Sequence, residues 1–162
     1  MRIGSGHDTH RLAAGGPLRL GGLELPHDRH LVGHSDADVL LHAVTDALLG
    51  AAGFDDIGQW FPDDDPAHRG RDSAEMLAEV ARRVRADGYG IVNLDCIVFA
   101  EAPRLGVAKR EMARRIAAVL EIEPERVAVK AKTGEGSGAV GRGEVMAAQC
   151  VVLLENQATP AS

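Results

Sequence analysis

The sequence predicts a single α+β domain: three helices layered on a mixed four-stranded sheet, with a small hairpin attached. Three observations support that expectation. Strand-like and helix-like segments alternate along 162 residues without a repeat or a long linker. Three stretches carry apolar residues at helical spacing. Gly21 and Gly22 separate two short alternating runs, which is the pattern of a two-residue β-hairpin.

The short apolar start, Met1 to Ile3, reads as strand, and Asp8, Thr9 and His10 follow it in extended chain. The hairpin pairs the run 17–20 with the run 23–26. Residues 36 to about 53 form the first helix, with Val39, Leu40, Ala43, Ala47 and Leu48 on its apolar stripe. Ser35, with Asp38 three positions later, resembles a capping arrangement at its start. Residues 54–71 are rich in Gly, Pro and Asp and read as a loop. The second helix starts at Asp72, supported by Glu75, and stops at Gly88. Strand 91–100 follows, and Pro103 breaks the chain. Val107, Met112, Ile116, Val119 and Leu120 mark the third helix, which ends near Pro124. Strands 127–132 and 145–154 flank a glycine-rich loop. The domain is expected over residues 1–156, with 157–162 a disordered tail.

Composition excludes several classes. The net charge is −6 and aromatic residues make up 3%. A nucleic-acid partner is not expected, because binding one needs a basic surface and stacking platforms. No apolar run reaches membrane-spanning length, and no signal-like segment follows Arg2. Cys96 and Cys150 each lie in apolar strand-like runs, as buried thiols would, so a bacterial cytosol is the simplest home.

Asp8, His10 and His42 are candidate metal ligands. Residues two apart in extended chain point to the same side, so Asp8 and His10 can converge. His42 projects from the first helix toward that strand. Asp38 and Asp46, four residues either side of His42, are expected to hold its second ring nitrogen. Two imidazoles and one carboxylate leave a coordination position open, as in catalytic zinc sites. The same set also suits iron, and both metals stand.

The glycine-rich loop fits the spacing of a dinucleotide fingerprint from Gly136 to Gly141, but a strand follows it where a helix is required. Lys132, Thr133, Gly134 and Glu135, with Arg142 beyond, offer amides, a hydroxyl and positive charge to a phosphate. A flexible connection with incidental charges explains them equally well. Glu135 makes sense among them if a divalent cation bridges it to phosphate. The loop 56–65 reads either as a solvated acidic turn, the better account of Asp64 and Asp65 taken singly, or as a functional wall in which Asp56 or Asp63 binds sugar hydroxyls or orders the metal region.

The chain resembles the 2-C-methyl-D-erythritol 2,4-cyclodiphosphate synthases, the cyclases of the non-mevalonate isoprenoid pathway. The resemblance runs from Met1 to about Leu154. Asp8 and His10, His34 to His42, Asp46 to Ala51, Asp56 to Gly58 and Phe61 to Asp63 carry it, followed by Ala102-Pro103, Val129 to Ala131, Thr133, Glu135 and Gly141 to Glu144. It implies zinc held by Asp8, His10 and His42, with His34 and Ser35 on one substrate phosphate. It implies a wall around the sugar-like part from Asp56, Ile57, Gly58, Phe61, Pro62, Asp63, Asp64 and Asp65. Ala100, Glu101, Ala102, Pro103, Arg104, Leu105 and Gly106 would receive cytosine. Lys132, Thr133, Gly134 and Glu135 would face the diphosphate, with Glu135 on a Mg2+ or Mn2+ ion. His34 and Thr133 would be the donors to the reacting phosphates. Arg142 matches a family position serving either substrate or subunit contact. Ala139 lies on the stretch lining the central cavity, where an aromatic is frequent. The resemblance further implies a small nucleotide-linked substrate and a homotrimer with its sites at subunit boundaries. His7, next to Asp8, is expected to face away from the metal.

Overall fold

Strand β1 (Arg2–Ala14) opens the computed structural model, which describes residues 1–157. It alternates buried Gly4 and Gly6 with exposed Ile3, Ser5 and His7, so one side of the strand is smooth enough for a helix to lie on. Antiparallel pairing with β7 (Val145–Asn156) runs from Arg2 opposite Leu154 to Arg11 opposite Val145. The remaining strands are the hairpin pair β2 (Leu18–Leu20) and β3 (Leu23–Leu25), then β4 (Arg29–Val32), β5 (Tyr89–Phe99) and β6 (Val127–Lys132). The main sheet has five strands in the order β4-β1-β7-β5-β6, and only β5 and β6 are parallel.

The expected four-stranded sheet is therefore corrected to five. The added strand, β4, has four residues, too few for alternation to stand out from a loop. The hairpin turns at Gly21 and Gly22, whose φ values of 63° and 73° meet the demand of a tight primed turn.

Helices α1 (Val39–Ala52), α3 (Ser73–Ala86) and α4 (Ala108–Val119) are the three expected. Single turns α2 (Ile57–Trp60) and α5 (Gly138–Gly141) fall in segments expected to be loops, and one turn is too short to show a helical period. Asp72 caps α3 by accepting from Ala74 N at 2.7 Å. The cap of α1 is Asp38 rather than Ser35. Its Oδ1 accepts from Leu41 N at 3.1 Å and from Gly21 N at 2.9 Å, and its Oδ2 from Gly22 N at 2.7 Å. Asp38 is fully buried, which pushes its carboxyl up from the usual range while those three amides oppose the shift. One carboxylate thus joins the hairpin turn to the start of α1.

Eleven of the fourteen residues of α1 are buried, so it is a core helix rather than one with a single apolar stripe. It lies on the face of β1 and β7 that carries Gly4, Gly6, Met146, Ala148 and Cys150, with α3 on its other side. A Cβ at Gly4 would come within 2.1 Å of Ala47 O, and one at Gly6 within 2.0 Å of Ala43 O. Helix and strand therefore meet backbone to backbone. The opposite sheet face shows Ile3 and Val151, 72% and 37% exposed, beside His7 and Gln149.

Cys96 and Cys150 are buried free thiols opposite one another on β5 and β7, with their sulfurs 3.6 Å apart. Their mutual hydrogen bond and burial push the Cys150 thiol far up. Gln157 N donates to Gly88 O at 2.8 Å, so residue 157 is placed, and the rest of the expected tail lies outside the described residues.

Gly6→Ala is expected to destabilise the chain by about 3 kcal/mol, since backbone must move to admit the methyl group. For a domain of this size that is a fall in Tm of about 6–12 °C. An unchanged Tm would show that α1 and β1 are not in backbone contact.

Candidate functional site

The alternation of β1 that turns Gly4 and Gly6 toward α1 turns Asp8 and His10 the same way and sends His7 to the exposed face. His42, the fourth residue of α1, then points at the same spot. Asp8 Oδ2 stands 2.9 Å from His10 Nε2 and 2.9 Å from His42 Nδ1, and the two nitrogens are 3.1 Å apart. A tetrahedral zinc bound at about 2.0 Å sets donor separations of about 3.3 Å, so the triangle is close to the size of a metal site. It is the one group of three or more candidate metal-binding side chains among the described residues.

Burial works to raise the Asp8 carboxyl, but hydrogen bonds from His10 and His42 and the attraction of both rings hold it well below the usual carboxylate range. Burial likewise disfavours charge on His10, yet its hydrogen bond to Asp8 and the Asp8 charge raise it overall. A cation at this centre would take the place of those protons.

The rings are oriented from outside the triangle. His10 Nδ1 meets Val32 O at 3.0 Å. A carbonyl only accepts, so Nδ1 donates, and once Nε2 gives up the proton it shares with Asp8 its lone pair faces inward. His42 Nε2 meets two hydroxyls, Ser35 Oγ at 3.0 Å and Ser73 Oγ at 2.9 Å. The expectation that Asp38 and Asp46 hold this nitrogen is not met. Asp38 is the cap, and its carboxylate is turned to the amides of Gly21, Gly22 and Leu41 instead of the ring. Asp46 accepts from Ile57 N at 2.8 Å and anchors α2 instead. Burial first, then the charges of Asp56 and Asp8, push its carboxyl up against that bond. Two ring nitrogens and one ionised carboxylate converging on one point fit a divalent cation, zinc or iron alike.

The triangle lies in a cleft of about 360 Å³ that is also lined by His34, Ser35, Ile57, Gly58, Phe61, Asp63 and His68. His34 Nε2 is buried there with no hydrogen-bond partner among the described residues, a polar atom left over for a ligand. Asp56 caps α2, accepting from Gln59 N at 3.1 Å, while Pro62 and Asp64 do not line the cleft. Asp65 accepts from Ala67 N at 2.9 Å and caps the turn Pro66–His68. Sequence reasoning missed His68, which packs edge-on to Phe61 with centroids 5.5 Å apart. It also missed Ser73, which nothing in the sequence separates from an ordinary helix start.

A second cleft of about 250 Å³ is formed by Ala100, Glu101, Pro103, Arg104, Leu105 and Gly106 with Lys132 and Thr133. Ala100 N donates to Lys132 O at 2.9 Å and Gly134 N to Glu101 Oε2 at 3.0 Å, tying its two walls together. Ala102 is not part of that lining. Glu135 is exposed, outside the triangle, at a φ of 50° that a residue with a side chain rarely adopts. Ala139 lies in α5, and Arg142 is held by Glu144 through contacts of 2.7 and 3.1 Å; neither lines either cleft. Thr9, Ala147, Phe99 and Lys132 form one row across four strands. Thr9, between the two candidate ligands of β1, and Lys132 of the second cleft therefore lie at the same end of the sheet, three strand spacings or about 14 Å apart.

Residues 1–155 match the model of the YgbB family. The chain belongs to that family. A curated relative from Desulfatibacillum aliphaticivorans, a 2-C-methyl-D-erythritol 2,4-cyclodiphosphate synthase, is 56% identical over 96% of this chain and 100% of its own length. A solved 2C-methyl-D-erythritol-2,4-cyclodiphosphate synthase in a CDP-bound form superposes with a TM-score of 0.88 at 38% identity, over 95% of this chain and 100% of that one. The bifunctional IspDF of Campylobacter jejuni matches with a TM-score of 0.92 at 39% identity, over 96% of this chain but 42% of the longer one. The family fold thus also occurs within a larger polypeptide.

His42→Ala should strip the chain of tightly held metal, measured by elemental analysis after dialysis against a chelator. Retention at the wild-type level would take His42 out of the ligand set.

Proposed function

We propose that the chain is a phosphorus–oxygen lyase that converts 4-diphosphocytidyl-2-C-methyl-D-erythritol 2-phosphate to 2-C-methyl-D-erythritol 2,4-cyclodiphosphate and CMP, in the non-mevalonate isoprenoid route. The observation that carries this reading is the Asp8–His10–His42 triangle inside a cleft, in a chain 56% identical to a synthase of that name.

The substrate carries both nucleophile and electrophile. An oxygen of its 2-phosphate forms a bond to the β-phosphorus as the bond from that phosphorus to the CMP oxygen breaks, and CMP leaves with the electron pair. The nucleophile is already an anion at neutral pH, so no general base is needed. The work left to the protein is to bring like-charged phosphates together and hold them in line. Zinc held by Asp8, His10 and His42, and a Mg2+ or Mn2+ ion on Glu135, would supply positive charge against that repulsion. His34, with its unpartnered Nε2, and Thr133 donate to the two reacting phosphates, and Ser35 borders the first. Ile57, Gly58, Phe61 and Asp63 wall the methylerythritol part, with Asp56, Pro62, Asp64 and Asp65 shaping the loop behind them. The segment 100–106 takes the cytosine, with Lys132 and Gly134 beside the diphosphate. Positioning of this kind supplies on the order of 7 kcal/mol or more in well-oriented intramolecular reactions.

Phosphorus NMR of a reaction mixture tests the reading. A cyclic diphosphate with an equal amount of CMP is expected. A linear diol phosphate or free phosphate would instead identify a hydrolase with water as nucleophile, and metal uptake without CMP release would identify a carrier.

The complete site is formed between chains of a homotrimer, the triangle coming from one and the 100–106 and 132–135 walls from its neighbour. The separate linings of the two clefts and the exposed apolar residues Ile3 and Val151 on the uncovered sheet face support this. His42→Ala and Glu135→Gln chains should each turn over slowly. Co-folded in equal amounts, they should recover activity at about a quarter of the sites, because random assembly reunites the intact halves. No recovery in the mixture would place both halves in one chain.

A further inference from the structure

His42 faces the triangle through Nδ1, and whether that nitrogen offers a lone pair depends on what Nε2 does. Two hydroxyls meet Nε2. A hydroxyl by itself fixes no tautomer, because it rotates to donate or to accept. Ser35 is in that position: its oxygen accepts from Ala37 N at 3.2 Å, and its proton remains free to turn toward Nε2. Ser73 is different. It is fully buried, and its hydroxyl donates to Asp36 Oδ1. An ionised carboxylate only accepts, so the Ser73 proton is committed to Asp36. The lone pairs remaining on Ser73 Oγ face His42 Nε2 at 2.9 Å and require that nitrogen to donate.

We infer that Asp36 and Ser73 form a relay that holds His42 as its Nε2–H tautomer and so turns the Nδ1 lone pair toward the metal. Both act through His42 and are positioning residues. The local structure has no other use for the Ser73 hydroxyl, because the cap of α3 is Asp72. The two serine hydroxyls are 3.5 Å apart, at the outer limit of a hydrogen bond, so neither displaces the other's stronger contacts. Asp36 is fixed in turn, its N donating to Arg71 O at 3.1 Å and its Oδ1 accepting from Asp38 N at 3.3 Å. The relay therefore links the segment before α1, α1 itself and the first residue of α3.

The inference rests on the metal reading of the triangle, and one set of measurements separates the two. Zinc and cobalt affinities of the full-length chain are determined by competition with a chromogenic chelator, with the cobalt absorption spectrum as a second readout. Ser73→Ala is expected to bind both ions about 10- to 100-fold more weakly, the range usual for lost outer partners of metal-bound histidine. Ser73→Thr, which keeps the hydroxyl, should recover most of that loss. Asp36→Ala is the sharper probe. It removes the acceptor without touching His42 or Ser73, which frees the serine proton to bond Nε2 and favours the wrong tautomer. Its affinity should fall by a similar factor. Asp36→Asn, whose amide oxygen can still accept from Ser73 Oγ and Asp38 N, should recover most of that loss. Wild-type affinity in both Asp36→Ala and Ser73→Ala, with His42→Ala already deficient, would overturn the relay and leave the metal site standing. If the unaltered chain takes up neither ion, the metal reading fails and the relay fails with it. Should Ser73→Ala not fold, Asp36→Ala decides alone, and wild-type affinity in that variant overturns the relay.

Discussion

The close seat of α1 on β1 sets the distance from His42 to the two candidate ligands on the strand. With Gly4 and Gly6 beneath it, the helix approaches until its carbonyls would touch any added Cβ. Two of the metal donors come from the strand and the third from the helix, so this spacing decides whether one ion could reach all three. Interiors at crystal-like density transmit such a constraint with little slack. The strand is in turn held in register by its ladder with β7, and the helix is covered by α3. The donor triangle is a by-product of how the core is packed.

Buried polar groups around this helix are divided among separate tasks. Asp38, fully buried, is spent on three backbone amides and fastens the hairpin turn to the helix start. Asp46 is spent on Ile57 N and sets the entrance of α2, whose residues wall the cleft. The orientation of the rings falls instead to a backbone carbonyl for His10 and to two hydroxyls for His42. A further carboxylate on the outer nitrogen of each ring, in addition to Asp8, would have added negative charge to a site that is proposed to fold a polyanion. Hydroxyl and carbonyl partners fix geometry without that charge.

The second cleft shows a different economy. Its walls are loops tied by single hydrogen bonds, Ala100 N to Lys132 O and Gly134 N to Glu101. Glu135 stands beside it in the left-handed region, at a cost of about 1 kcal/mol or more for a residue with a side chain. A strained, exposed carboxylate next to backbone groups suits the cation-bridged phosphate contact proposed for it.

The sequence by itself determined the α+β class, the three long helices, the hairpin and the shared side of Asp8 and His10. Those follow from periods of 2 and 3.6 residues and from turn chemistry, which are local properties of the chain. Motifs from Asp8 to Glu144 carried the family resemblance that the relatives now show. Tertiary structure alone decided the fifth strand, the single-turn helices and the partners of His42. A four-residue strand or helix has no room for a period. Ser73 lies 31 residues from His42, and only the docking of α3 against α1 makes them neighbours. Asp38 was misread for the same reason: its nearest partners along the chain suggested one role, and a hairpin 16 and 17 residues away gave it another.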